Sequence, residues 1–232
     1  MKHRQLLERA NRSLVEAAAL VDPTFRLHYH FMAKAQWMND PSGLVSYGGY
    51  YHVFYQHNPY APRWGSMHWG HARTKDFLSW EHLPVALAPS EEYDLDGCFS
   101  GSAVVADGQM QLFYTGVREV KGKLVQVQCR ALSSDGIHFR KDPLNPLIST
   151  YPPEGSQDFR DPKVWRWGEA WFMALGSGQG GRGKVLLYIG QSFCAGGVLW
   201  EWPRKAMEPR GRFGNARTSF PWEASTACWS PP

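Results

Sequence analysis

Apolar residues first recur at helical spacing. Leu6, Leu7, Ala10, Leu14, Ala17, Ala18 and Val21 fall on one face of a 3.6-residue period, which predicts a helix over 3–21. Pro23, which cannot continue a helix, ends it. Beyond it the period shortens and short apolar runs alternate with turn residues. Leu44–Tyr47 and Tyr50–Gln56 flank Gly48-Gly49, and Ser102–Ala106 and Met110–Thr115 flank Asp107-Gly108. Val164–Trp167 and Trp171–Leu175 flank Gly168-Glu169. Each pair reads as a β-hairpin. Leu124–Ser133 is a further strand, and Lys184–Ile189 follows a glycine-rich turn.

A repeat organises these hairpins. The stretch from Ala72 through Asp76 to Trp80 parallels the stretch from Ala131 through Asp135 to Phe139. Each sets an aspartate four residues ahead of an aromatic at the end of a strand, and the two aspartates are 59 residues apart. A four-stranded unit of that length is the signature of a β-propeller blade. A third copy falls due near residue 195. There Trp200-Glu201 echoes Trp80-Glu81, but the aspartate is missing.

Composition narrows the picture. Eleven Trp, ten Tyr and twelve Phe in 232 residues favour a β-rich fold with surfaces on which sugars stack. The net charge is +4, yet the basic residues are scattered and form no stripe, so a nucleic-acid partner is not expected. There is no apolar run of membrane-spanning length and no signal-peptide core, which points to a cytoplasmic protein without a membrane partner. Cys98, Cys129, Cys194 and Cys228 lack metal-type spacing and read as free thiols in a reducing compartment.

The candidate chemistry lies in two carboxylates, Asp40 and Asp161, each followed by proline. Proline fixes its own φ and pushes the preceding residue towards an extended conformation, so each aspartate is presented at a defined angle. Asp-Pro is also a common turn pair, but the aromatic setting of both favours carbohydrate chemistry. His28 and His30 are spaced like metal ligands on a strand, with no third ligand in view, and no metal is expected. His68 and His71 are expected to bond neighbouring turns. Gly178 to Lys184 approaches a phosphate-loop pattern, but Val185 replaces the required hydroxyl, so a hairpin turn accounts for it better.

Five motifs occur in order: Trp37-Met38-Asn39-Asp40-Pro41-Ser42-Gly43, Gln56-His57-Asn58-Pro59, Trp64-Gly65-Ser66-Met67-His68-Trp69-Gly70-His71, Phe99-Ser100-Gly101-Ser102 and Phe159-Arg160-Asp161-Pro162. Over residues 26–189 they closely resemble glycoside hydrolase family 32, the invertases and sucrose-6-phosphate hydrolases. The resemblance implies a five-bladed β-propeller followed by a β-sandwich. It implies cleavage of terminal β-D-fructofuranosides with retention, a small-molecule sugar as substrate and no cofactor. By position, Asp40 resembles the nucleophile and Asn39 a residue that orients it. Asp161 resembles the carboxylate that grips fructose hydroxyls and stabilises the transition state, beside Arg160. Gln56, Trp64, Phe99 and Ser100 match positions lining the fructose pocket, and Trp37 either stacks or packs. The related five-bladed arabinan and xylan hydrolases share the two-aspartate logic but not the Asn-Asp-Pro-Ser-Gly motif.

The resemblance breaks at the general acid, which the family carries in a Trp-Glu-Cys-Pro-Asp motif. Glu201, Glu208 and Glu223 are the only glutamates after Glu169, and none stands in such a motif. The codons permitted by residues 213–229, read two bases later, can spell it. The last two dozen residues are therefore expected to be out of frame, with an earlier disturbance in 190–198. The expected layout is a helix over 1–22, a partial propeller over 26–189 and an aberrant tail over 190–232. The fold class is all-β, about three of five blades. The alternative to a hydrolase is a catalytically inactive, sugar-binding fragment of one.

Overall fold

The computed structural model describes residues 3–190. Helix α1 spans His3–Ala18, three residues shorter at its end than the spacing predicts. Leu20 and Val21 turn to carbonyls only three residues back, and Asp22 then caps a short turn at Pro23–Phe25 by accepting from the Thr24 N–H at 2.8 Å. His28 and His30 lie in the irregular segment that follows and are on no strand.

Eleven strands then form three antiparallel sheets in chain order. The first is β1 Trp37–Tyr47, β2 Tyr50–Asn58, β3 His68–Thr74 and β4 Glu81–Leu87. The second is β5 Gly97–Ala106, β6 Gln109–Val120, β7 Lys123–Ser133 and β8 Arg140–Lys141. The third has three strands among the described residues, β9 Phe159–Trp167, β10 Ala170–Gln179 and β11 Arg182–Gly190. This is an incomplete β-propeller of three blades with an N-terminal helix. The third copy of the repeat, due near residue 195, lies outside the described residues. The hairpin turns have positive φ at both central positions in Gly48-Gly49, Asp107-Gly108, Lys121-Gly122 and Gly180-Gly181, the geometry that matches strand twist.

The repeat is real in three dimensions. Asp76 Oδ1 accepts from the Leu78 and Ser79 amides and from the Thr74 hydroxyl. Asp135 Oδ1 accepts from the Ile137 and His138 amides and from the Ser133 hydroxyl. The residue after each aspartate has positive φ, 61° at Phe77 and 71° at Gly136.

Strand alternation divides the interior into two cores. Met110, Leu112 and Tyr114 of β6 face the first sheet and pack with Phe54, Trp69, Leu87 and Phe139. Phe113, between them, faces the third sheet and packs with Phe159, Val164, Trp171, Met173 and Leu186. Helix α1 covers the edge of the first sheet. Asn11 Oδ1 accepts from the Val85 N–H at 2.9 Å and His3 Nε2 from the Ala88 N–H at 3.1 Å, occupying edge groups that would otherwise be open. A buried ion pair ties β8 to the β4–β5 connection near this edge, with Lys141 Nζ 2.5 Å from Asp94 Oδ2.

Candidate functional site

The inner strands β1, β5 and β9 lie side by side, and each is interrupted at the residue the motifs single out. In β1, Asn39-Asp40 stand opposite Gln56 alone. In β5, Ser100 has no partner between the pairs Phe99–Thr115 and Gly101–Tyr114. In β9, Asp161-Pro162 stand opposite Leu175 alone. A bulge inserts a residue and re-aims its side chain. Three bulges at one level of three adjacent strands therefore turn Asp40, Ser100 and Asp161 towards a common rim. Both aspartates lie within strands, so the turn-pair alternative applies to neither. The bulge in β5 depends on Gly101, where a Cβ would meet the Phe113 carbonyl oxygen at 1.9 Å.

The contacts tie these residues together. Ser100 Oγ donates to Asp40 Oδ2 at 2.9 Å, across 60 residues of chain. Trp37 Nε1 donates to Asn39 Oδ1 at 2.7 Å, which holds the amide beside Asp40. Arg160 pairs with Asp158 at 2.6 Å and approaches Asp161 at 3.9 Å. The Asp161 carboxyl is raised above the usual range by burial. Arg160 opposes this, and the Asp40 charge adds to it.

Trp64, 58% exposed, sits on the β2–β3 connection with its ring edge-on to Phe99, centroids 6.0 Å apart. Phe99 and Arg160 line an open hollow together with Lys123, Leu124, Gln126 and Asp158. Gln56 is placed differently. It is 3% exposed, and its amide donates to the Cys98 carbonyl at 2.9 Å, pinning β2 to β5 beneath the rim. His68 Nδ1 bonds the Ser66 carbonyl in the adjoining turn, as expected, whereas His71 pairs with His52 on the neighbouring strand at 2.9 Å. Burial holds His68 down at about 4 and His71 well below its ordinary value, so both are neutral supports.

One expectation fails. Pro162 does not keep Asp161 extended, for its φ is +62°. Aspartate tolerates this left-handed region better than most residues, and the bulge requires it here. The motifs also did not single out Asp158, the partner of Arg160, or Thr115, whose hydroxyl accepts from the Asp161 N–H at 3.1 Å. A short polar residue directly after the apolar run Leu112-Phe113-Tyr114 was the available signal for Thr115.

Residues 30–210 match the family model described as the glycosyl hydrolases family 32 N-terminal domain. The match continues past Gly190 into the stretch expected above to be aberrant. A sucrose-6-phosphate hydrolase of Escherichia coli is 50% identical over 175 residues, 73% of this chain and 36% of the relative. A raffinose invertase of Escherichia coli is 46% identical over 195 residues, 82% of this chain and 40% of the relative. Among solved structures, the family 32 β-fructofuranosidase of Bombyx mori superposes with a TM-score of 0.78 at 37% identity, covering 87% of this chain and 42% of that one. A mutant of that enzyme is known in complex with sucrose. The chain thus spans well under half the length of these relatives.

Proposed function

The chain belongs to glycosyl hydrolase family 32, and from that membership we propose that it carries the nucleophile half of a retaining β-fructofuranosidase site. The observation that carries the reading is the rim shared by Asp40, Ser100 and Asp161 at three matched bulges. The substrate class is a terminal β-D-fructofuranoside such as sucrose or its 6-phosphate. Asp40 attacks the anomeric carbon, and the glycosidic bond breaks as the fructosyl ester forms. Ser100 donates to the carboxylate oxygen at 2.9 Å and holds it in line. Asp161 and Arg160 receive fructose hydroxyls, and the Asp161 carboxylate offsets the positive charge that develops on the ring. Trp64 and Phe99 supply the apolar wall.

The departing sugar oxygen needs a proton, and a positioned acid is typically worth about 10²–10⁴-fold. The later glutamates Glu201, Glu208 and Glu223 lie outside the described residues. A leaving group that needs no proton isolates the part of the chemistry placed here. The chain should hydrolyse β-D-fructofuranosyl fluoride far better than sucrose, and mass spectrometry should find the trapped fructosyl ester on Asp40. Asp40→Asn should lower fluoride turnover about a thousandfold or more while fructose still binds. Binding without fluoride turnover would favour the second reading, an inactive sugar-binding fragment. An ester on another residue would refute Asp40. Cys98 and Cys129 share one core as free thiols, which supports placing the protein in the reducing cytoplasm.

A further inference from the structure

Strand β9 is the edge of the third sheet, so its outer backbone groups have no ladder partners, and side chains of the second sheet meet them on both sides of the bulge. Gln126 Oε1 accepts from the Phe159 N–H at 2.8 Å, and Gln128 Nε2 donates to the Phe159 carbonyl at 2.7 Å. Thr115 Oγ1 accepts from the Asp161 N–H at 3.1 Å. Ser102 Oγ donates to the Pro162 carbonyl at 2.7 Å and accepts from the Val164 N–H at 2.9 Å. The Thr115 hydroxyl in turn donates to Gln128 Oε1 at 3.1 Å, linking two of the four side chains. All four are buried.

Their placement follows from strand alternation. Ser102, Thr115, Gln126 and Gln128 fall on the faces of β5, β6 and β7 that also present Val104 and Phe113 to the third sheet. Val127 and Cys129, at the alternate positions of β7, face the first sheet. Apolar residues would fill this space as Phe113 does. Polar residues are costly there unless every group is bonded, and here they bond five backbone groups of β9 on either side of one bulge. They surround Asp161, a non-glycine residue at φ +62° that is followed by proline. The residue before proline is not held in such a conformation by its own preference.

We infer that Ser102, Thr115, Gln126 and Gln128 are positioning residues, a clamp from the second blade that holds Asp161 in its left-handed conformation and aims its carboxyl at the rim shared with Asp40. The inference rests on the role proposed above for Asp161 and assigns what keeps that residue in place. Thr115 is the central member. Removing its hydroxyl frees the Asp161 N–H and leaves Gln128 Oε1 without its donor, while Thr115→Ser keeps both bonds.

The experiment uses the intact chain, isotopically labelled, and reads Asp161 by NMR. In the unaltered protein the Asp161 N–H should be protected from exchange. Thr115→Val should speed its exchange about tenfold, and Thr115→Ser should leave it protected. The Asp161 carboxyl, which faces Asp40 and Arg160, should titrate closer to an ordinary aspartate in Thr115→Val and unchanged in Thr115→Ser. Ser133→Ala, which weakens the outer turn of the same sheet without touching β9, should move neither signal. An Asp161 N–H that exchanges like an exposed loop amide in the unaltered protein would overturn the clamp, and this measurement needs no variant to fold. Equal shifts of the carboxyl in Ser133→Ala and Thr115→Val would overturn it too. No sugar enters these measurements, so a chain that fails to bind or turn over fructosyl compounds would sink the earlier reading separately.

Discussion

The second and third blades differ in how they are held. The second is packed on both faces, through Leu112 and Tyr114 against the first sheet and through Phe113 against the third. Among the described residues the third buries one face, with Trp171, Met173, Leu175 and Leu186 turned to the second. Its other face carries Trp165 stacked on Phe172 at 5.5 Å, with Trp167 and Val185 exposed. Yet the third blade supplies Asp161, a residue that the proposed chemistry needs in one place. The difference teaches where precision comes from. A blade covered on one side can present a fixed side chain when the fully covered neighbour grips its backbone.

The largest expected effect comes from breaking that grip in the core. Phe113 is fully buried and is the second blade's largest contribution to the shared cluster. Phe113→Ala should cost about 3–5 kcal/mol, by lost transfer energy plus the cavity left behind. Urea denaturation gives the total, and amide exchange gives its location. The amides of β10 should open well before those of β2. Uniform loosening of all three sheets would break the comparison, because the third blade would then not depend on the second in particular.

Much of this architecture was legible in the chain. The hairpins were visible because Gly48-Gly49 and Asp107-Gly108 supply the positive φ that the turns need. Strands β3 and β4 were harder to read. His68-Trp69-Gly70-His71 is buried on both faces and shows no alternation, and Pro84 sits in β4, an edge strand, where a missing N–H is tolerated. Asp40 and Asp161 stood out through their motifs. The left-handed conformation of Asp161 did not, because its N–H is met by Thr115, which is distant in sequence and reaches it only when the blades pack. The burial of Gln56 was hidden for the same reason, since its partner is a carbonyl in the next blade.

Acid should sharpen the comparison from the other side. Bonds from the Ser79 and Leu78 amides hold the Asp76 carboxyl down at about 2. Burial pushes Asp135 up, but bonds from His138, Ile137 and Ser133 outweigh it and leave that carboxyl lower still. A depressed carboxyl contributes stability that is fully present above its unfolded value and is lost as pH falls through the folded one. The loss should run from about pH 4 downward, and it belongs to the first and second sheets, which carry these turns. Thermal melts at stepped pH should show a shallower acid slope in Asp76→Asn and in Asp135→Asn. A slope unchanged by either substitution would mean that the repeat's aspartates shape the turns without governing acid stability. Both groups are open to solvent, so the effect should be smaller than that of Phe113→Ala.

The smallest effect tests the uncovered face directly. Trp167 is 62% exposed, and its ring lies 6.5 Å from that of Phe172. A side chain that is already in water loses little when it is removed, so Trp167→Ser should change stability by no more than about 0.5 kcal/mol. Trp171, four residues on and turned inward, should cost about 3–5 kcal/mol as Trp171→Ala. The contrast separates the two faces of one sheet, because strand alternation alone decides which tryptophan matters. A dye that fluoresces on apolar surfaces adds a second readout. Its binding should fall in Trp167→Ser, since exposed Trp167 and half-buried Phe172 and Trp165 form one aromatic patch. A stability loss above about 1 kcal/mol in that variant, with dye binding unchanged, would mean that the face is covered in solution. The third blade would then be held on both sides like the second, and the contrast between them would disappear.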